Sequence, residues 1–228
     1  MGEMVTFPAN GGTASGYLAV PSSGRGPGVI VIQEWWGLND QVKGVANMLA
    51  KEGFTALSPD FYGGKAAAMG EPDKAGKLMM ELQRDDAAKV ARGAAKYLRA
   101  QKVVSSQKVG VIGFCMGGGL AMLTAAVAPD DIAAVVNCYG VGPQQPTDVS
   151  GIRAPVLGIF GGKDHMANAE AIAKLERELK AAGAPFQKQV YPEADHAFLN
   201  EQRKDAYREA DARDAWGRII PFLRRHLG

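Results

Sequence analysis

Residues 109–120 read VGVIGFCMGGGL, and this stretch indicates how the whole chain folds. Its first half is an apolar, β-branched run typical of a strand that is buried on both faces. Its second half is rich in glycine and leads into an apolar stretch that predicts a helix. Between the two lies Gly113-x-Cys115-x-Gly117, which has the spacing of a nucleophile elbow with cysteine in the place of serine.

The glycines around Cys115 are explained by a sharp strand-to-helix turn, because side chains two positions from the nucleophile would collide with it. Such a turn presents the sulfur at a helix N-terminus, where free backbone N–H groups favour a thiolate or an oxyanion. A phosphate-binding loop and a tight turn around a buried cysteine are the alternatives. The first is disfavoured because no Gly-Lys-Ser/Thr triplet follows, and because a dinucleotide fingerprint belongs at the first strand–helix turn.

Alternating strand-like and helix-like segments predict an α/β fold, with a mostly parallel twisted sheet flanked by helices on both faces. An antiparallel hairpin is predicted at the start, from segments near 6–7 and 16–20 around a turn at 10–12. Buried strands are predicted at 28–32, 54–57, 108–112, 132–138 and 155–160, and a last strand at 187–191. Helices are predicted at 40–51, 73–100, 168–182, from the elbow to 128, and from about 203 onward, with a loop at 63–71.

Length and composition restrict the kind of protein. A chain of 228 residues fits one α/β domain, so we expect residues 1–228 to form a single domain. The net charge of +2 gives no electrostatic basis for a nucleic-acid or membrane partner. No apolar run reaches the about 20 residues of a membrane helix, and the first residues lack signal-peptide features. Two cysteines cannot form the disulfide framework of a small secreted domain, so we expect a cytoplasmic protein. We also expect a monomer or a weak homo-oligomer.

A cysteine nucleophile needs a base, and the chain has three histidines, His165, His196 and His226. His226 adjoins the C-terminus, where fraying and solvation are expected. In a nucleophile-elbow fold the chain order is nucleophile, acid, histidine. This order favours His196, after the last predicted strand, as the base and Asp164, after the preceding strand, as the acid.

Two other interpretations of the acidic residues remain. Asp195 adjoins His196, but adjacent side chains on an extended segment point apart, which makes Asp195 the weaker orienting group. Asp164 also fits a turn residue after Gly161-Gly162. That interpretation loses weight beside Cys115 and His196.

At these positions the chain resembles the dienelactone hydrolase family, the cysteine branch of the α/β-hydrolases. The resemblance covers about 16–223. Its motifs are QEWWGLN at 33–39, GFCMGG at 113–118, GGKDH at 161–165 and HAF at 196–198. The resemblance implies an α/β-hydrolase fold and a small ester or lactone as substrate.

The resemblance also implies roles for individual residues. Cys115 is the nucleophile, His196 the general base and then acid, and Asp164 its orienting group. The backbone N–H groups of Trp35 and Met116 form the oxyanion hole.

Glu34 is the fourth side chain that the resemblance implies, lying beside the cysteine and influencing its ionisation. The sequence alone also fits a residue that merely ends a strand. A carboxylate directly after the apolar run 29–32 is nonetheless unusual, because a buried charge needs a partner.

The chain departs from the family at the arginines that bind the substrate carboxylate. The position four residues after the histidine is Asn200, and 63–77 contains no arginine. Lys65, Lys74 and Lys77 offer a point charge without a bidentate fork. Because these arginines are not matched, dienelactone specificity is not expected. The missing arginine also removes the usual partner of Glu34, so the ionisation of Glu34 in the family is not carried over to this chain.

The aromatic residues nearest these motifs are Trp35, Trp36, Tyr62 and Phe198. They fit the wall of an apolar acyl or alcohol pocket, and they fit ordinary core residues equally well.

The sequence thus predicts a hydrolase of small carboxylic esters or lactones that works through a thioester acyl-enzyme. No cofactor and no metal are expected, since no His/Cys cluster has zinc spacing and Cys-x-x-Cys is absent. Two alternatives stay open. One is a thiol redox protein that uses Cys115 through a sulfenic acid, with Cys138 approaching in space. The other is a non-catalytic binding module on the same scaffold.

Overall fold

The computed structural model describes residues 2–9, 11–142 and 148–228. Within them the chain forms eight strands and six helices. The strands are β1 (Glu3–Pro8), β2 (Thr13–Ala19), β3 (Gly28–Ile32), β4 (Thr55–Pro59), β5 (Val109–Phe114), β6 (Ile132–Cys138), β7 (Val156–Gly161) and β8 (Phe186–Tyr191). The helices are α1 (Asp40–Lys51), α2 (Pro72–Glu81), α3 (Arg84–Ala100), α4 (Met116–Val127), α5 (Ala169–Ala181) and α6 (Glu209–Leu227).

The strands form one sheet in the order β1-β2-β4-β3-β5-β6-β7-β8. The β1–β2 hairpin is antiparallel, β2 runs antiparallel to β4, and every other neighbouring pair is parallel. The predicted hairpin and the mostly parallel sheet are therefore confirmed, although Asn10 of the predicted turn lies outside the described residues. All residues of β3 and β5 are buried, as their uninterrupted apolar sequences predict.

Helices cover both faces of the sheet, as the neighbours of two strand glycines show. Gly28 faces Leu98 of α3, whereas Gly110 faces Leu223 and Leu227 of α6. Both faces of the sheet are occupied by helices, so a binding site is expected in the loops at the carboxyl ends of the strands. None of the helices in the described ranges is long and apolar enough to span a bilayer.

Two helix predictions need correction. The predicted helix at 73–100 is two helices, because Leu82 and Gln83 adopt extended backbone between α2 and α3. The last helix was expected from about 203, but it begins at Glu209. Backbone hydrogen bonds from Arg203 to the Asn200 carbonyl and from Ala206 to the Arg203 carbonyl close turns there instead.

Candidate active site

Cys115 lies at the turn between β5 and α4, with φ of 56° and ψ of −124°. This conformation is strained for a residue other than glycine, and such strain is typical of functional sites. A Cβ at Gly113 would collide with the Gly117 carbonyl, and a Cβ at Gly117 would collide with the Gln33 carbonyl. Both glycines are therefore required for the turn, which has the geometry of a nucleophile elbow.

A second pair of glycines lets the loop after β6 approach the start of α4. A Cβ on Gly118 or on Gly140 would collide with the backbone of the other. The side chain of Asn137 holds this loop by accepting from the Gly140 N–H at 2.8 Å and donating to its carbonyl at 3.3 Å. Tyr139, between them, is fixed with φ of 44°. The loop thereby delivers the Tyr139 ring to the site.

Asp164 follows β7 and orients His196, with 2.7 Å between its Oδ2 and the histidine Nδ1. Its other oxygen accepts the backbone N–H groups of Met166 at 2.8 Å and Ala167 at 3.0 Å. Burial raises the pKa of Asp164, but these hydrogen bonds and the His196 charge outweigh burial and leave the pKa below its usual value. Asp195, the alternative acid, is exposed.

The other ring nitrogen of His196 faces the cysteine. Nε2 is buried and has no hydrogen-bond partner of normal geometry within the described part of the chain. Burial lowers the pKa of His196, whereas the hydrogen bond to Asp164 and the interaction with Cys115 raise it, to about 10. His165 and His226 take no part in this arrangement; His165 is exposed, and His226 stacks edge-on against Phe222.

Two backbone N–H groups beside the elbow are free to bind an oxyanion. Across the described residues, neither the Trp35 N–H nor the Met116 N–H donates to a protein acceptor. The Tyr62 hydroxyl contacts both residues, donating to the Trp35 carbonyl at 3.1 Å and approaching the Met116 sulfur at 3.3 Å. Burial and the nearby Cys115 raise the pKa of Tyr62, so its hydroxyl stays protonated and able to donate.

Glu34 is buried next to this group, and its partners are neutral. Asn200 donates to Oε2 at 2.9 Å, and the Tyr139 hydroxyl donates to Oε1 at 3.4 Å. Burial raises the pKa of Glu34 above its usual value, while Asn200 and the nearby His196 and Arg203 charges oppose the rise. Asn200 stands where the resemblance leads one to expect an arginine, so an amide replaces the guanidinium as the partner of Glu34.

Sequence reasoning missed Tyr139. Its ring packs edge-on against His196, with centroids 5.1 Å apart, and tilts against Phe198 at 5.9 Å. It also lines the cavity beside Cys115. Its position directly after a buried parallel strand was the one signal available, since such strand ends converge on the site.

A cavity of about 820 Å³ opens beside Cys115 and His196. Of the aromatic residues predicted as its wall, Trp35 lines it, but Trp36, Tyr62 and Phe198 do not. Trp36 is 3% exposed and Phe198 is fully buried, so both belong to the core. The apolar wall comes instead from aliphatic and thioether side chains of α2, the break that follows it, α4 and the Asp164 loop, namely Met79, Met80, Leu82, Leu120, Leu123 and Met166.

Two arginines also line this cavity, at positions that sequence reasoning did not consider. Arg84 is the first residue of α3, and the break before that helix brings it to the cavity. Arg203 lies in the turns after His196, and its guanidinium donates to both carboxylate oxygens of Asp205, at 2.9 and 2.6 Å.

Comparison with known proteins identifies the family of the chain. The sequence profile described as "Dienelactone hydrolase family" matches residues 14–227. Protein usf from Aquifex pyrophilus is 39% identical, and "Putative carboxymethylenebutenolidase" from Aquifex aeolicus (strain VF5) is 35% identical, each over 100% of both chains. Among solved structures, a dienelactone hydrolase-like promiscuous phosphotriesterase from metagenomic libraries matches with a TM-score of 0.86 and 25% identity, over 100% of this chain and 99% of that one. The chain therefore belongs to the dienelactone hydrolase family of carboxylic ester hydrolases.

Proposed function

We propose that the protein hydrolyses small carboxylic esters or lactones by acyl transfer through Cys115, with His196 as acid and base and Asp164 as its orienting group. The observation that carries the proposal is the 2.7 Å contact between Asp164 and His196 Nδ1, which leaves Nε2 for the cysteine at the elbow. A nucleophile, a base and an oriented acid in one chain order are the parts that acyl transfer needs.

In the first step the Cys115 sulfur attacks the carbonyl carbon of the ester. The developing oxyanion accepts hydrogen bonds from the Trp35 and Met116 N–H groups. His196 then gives its Nε2 proton to the departing alkoxide, and a thioester remains on Cys115. The raised pKa of His196 suits this order, because the imidazole is protonated at neutral pH before the alkoxide leaves.

In the second step water hydrolyses the thioester. His196 takes a proton from the attacking water, the same two N–H groups stabilise the second oxyanion, and the sulfur leaves. Asp164 keeps the imidazole oriented through both steps, since its carboxylate is fixed by the backbone of the loop after β7. Glu34 is buried beside this group and does not line the cavity, so it acts through its neighbours rather than on the acyl group.

The burial of Cys138 argues against the redox alternative. Cys138 is fully buried, and both burial and the nearby Glu34 raise the pKa of its thiol well above the usual value. A resolving cysteine works as an accessible thiolate. A non-catalytic role is disfavoured because a strained elbow and an oriented histidine are costly features without chemistry to perform.

Dienelactone itself is not part of the proposal. Arg84 and Arg203 line the cavity, but Asp205 already takes the bidentate fork of Arg203. A guanidinium so engaged is a weaker partner for a substrate carboxylate.

The test is steady-state hydrolysis of p-nitrophenyl acetate by the wild type, Cys115→Ala and the matched control Cys138→Ala, each checked for folding by circular dichroism. We expect turnover to fall to background in Cys115→Ala and to persist in Cys138→Ala. Mass spectrometry of the wild type quenched during turnover should reveal one acetyl group on the peptide that contains Cys115. Equal activity in the wild type and folded Cys115→Ala would refute the mechanism.

A further inference from the structure

The cavity beside Cys115 extends along one face of α4. Four residues of that helix line it, Met116, Gly119, Leu120 and Leu123, and their spacing is that of a single helical stripe. At 1.5 Å per residue, the eight steps from Cys115 to Leu123 span about 12 Å. The volume of about 820 Å³ lies in the upper part of the range of small-molecule sites, about 300–1,000 Å³. A small ester would leave most of this space unfilled.

The junction of α2 and α3 forms another part of the cavity wall. Met79 and Met80 end α2, Leu82 occupies the extended break, and Ala87 follows on the first turn of α3. These side chains offer no hydrogen-bonding groups beyond weakly polar thioethers. Methionine is unbranched and flexible, so it adapts to a ligand that has no fixed shape.

Two exposed apolar side chains belong to the cavity lining. Met80 is 77% exposed and Met166 is 51% exposed, and both line the cavity. They are two of the four large apolar side chains exposed in the described ranges. Two exposed methionines in the lining of one cavity suit an apolar ligand that covers them on binding.

We propose that the α4 side of this cavity is a channel for a linear aliphatic chain of about nine carbons, carried by the ester that Cys115 attacks. This inference rests on the proposed function, because it assigns the acyl or alkyl part of the same substrate. The length follows from the geometry, since each carbon of an extended chain advances about 1.3 Å along a path of about 12 Å.

The two arginines of the cavity are compatible with a hydrocarbon chain. Asp205 holds the Arg203 guanidinium, so its charge is balanced within the protein. Arg84 begins α3, and its aliphatic stem can lie along an apolar chain while the guanidinium reaches water. A ligand of this class therefore needs no polar group beyond its ester.

The expected magnitude follows from apolar burial. Each methylene removed from water strengthens binding by up to about fourfold. From acetate to octanoate the chain gains six methylenes, so even partial burial should raise kcat/KM by at least about 100-fold.

The experiment measures kcat/KM for p-nitrophenyl acetate, butyrate, hexanoate, octanoate and dodecanoate. We expect a rise to a maximum near octanoate and a fall at dodecanoate. Leu123→Trp fills the channel and should lower the octanoate-to-acetate ratio at least tenfold. Met80→Ala should lower that ratio by a smaller factor, and Met4→Ala, an exposed methionine on β1, is its matched control and should leave the ratio unchanged.

A second readout needs no catalysis. Calorimetric titration of Cys115→Ala with 1-octanol and 1-butanol should give at least about 30-fold tighter binding of octanol, and Leu123→Trp in that background should remove the difference. Cys115-dependent acetate hydrolysis with a flat chain-length series and equal alcohol affinities would overturn the channel while the proposed function stands. Leu123-sensitive octanol binding without hydrolysis of any ester would support the channel and overturn the proposed function.

Discussion

At the scale of single residues, the charge on His196 depends on one carboxylate. The Asp164 carboxylate accepts from Nδ1, and with Cys115 it outweighs burial and raises the pKa of His196 to about 10. Asp164→Asn removes that charge, so the pKa of His196 should fall. We expect the alkaline limb of the pH profile of kcat/KM to move to lower pH and kcat to drop at least about 100-fold. Hydrolysis of p-nitrophenyl acetate across that pH range measures both.

Asp195→Asn is the matched control for this prediction. Asp195 adjoins His196 in sequence but is exposed, so its replacement should leave the limb in place. An unmoved limb in Asp164→Asn, or an equal shift in both variants, would contradict the role given to Asp164.

Local motifs predicted that four candidate site residues lie near one another, because Glu34, Cys115, Asp164 and His196 each follow a strand that the hydrophobic pattern identifies. The structure brings all four together at one edge of the sheet. What the motifs could not supply was the partner of Glu34, since Asn200 replaces an arginine by a contact across 166 positions of sequence.

The walls of the cavity were harder to predict than its chemistry. Trp36 and Phe198 belong to the motifs themselves, but both lie in turns and their side chains enter the core.

At the scale of elements, the β5–turn–α4 unit depends on the absence of side chains at two positions. Gly117→Ala would place a Cβ against the backbone carbonyls of Ile32 and Gln33, neither of which can move without disturbing β3. We expect a loss of more than about 2 kcal/mol in the free energy of unfolding, measured by urea denaturation.

The control for Gly117→Ala is Gly44→Ala, in the middle of α1. A Cβ at Gly44 meets no atom of the described residues within 4 Å, and alanine is the better helix former. This variant should gain about 0.5–1 kcal/mol. Equal effects of the two substitutions would contradict the steric argument for the elbow.

The break between α2 and α3 was not predictable from the sequence. The break consists of Leu82 and Gln83, neither of which is a helix breaker such as glycine or proline. The amphipathic pattern continues through them, so local signals predict one helix. The break takes Leu82 into the cavity wall, and tertiary packing of this kind overrides helix propensity.

At the scale of the whole molecule, alternating apolar and amphipathic segments were enough to predict a parallel sheet covered on both faces. The order of the strands was not predictable in the same way, because β2 joins β4 and β3 lies between β4 and β5 through contacts distant in sequence. The common edge where the chain collects its polar groups follows from the parallel arrangement itself.

Burying these polar groups lowers the stability of the whole fold, and the effect should be measurable at Glu34. Its carboxyl is buried with neutral partners, so its pKa is higher in the folded than in the unfolded chain. A carboxyl with a raised folded pKa favours folding when protonated and opposes it when ionised. The wild type should therefore lose stability as the pH rises above the unfolded value of Glu34, whereas a neutral glutamine avoids that loss.

We expect Glu34→Gln to exceed the wild type in free energy of unfolding by about 1–2 kcal/mol at pH 8, with a smaller difference at pH 5, while its esterase activity falls. Urea denaturation at the two pH values measures the first effect, and p-nitrophenyl acetate hydrolysis the second. Glu201→Gln is the control, because Glu201 is exposed one residue beyond Asn200 and should change neither quantity. If the stability gain of Glu34→Gln does not grow with pH, ionisation of Glu34 does not destabilise the folded protein. A gain in stability with undiminished activity would instead remove Glu34 from the machinery around Cys115.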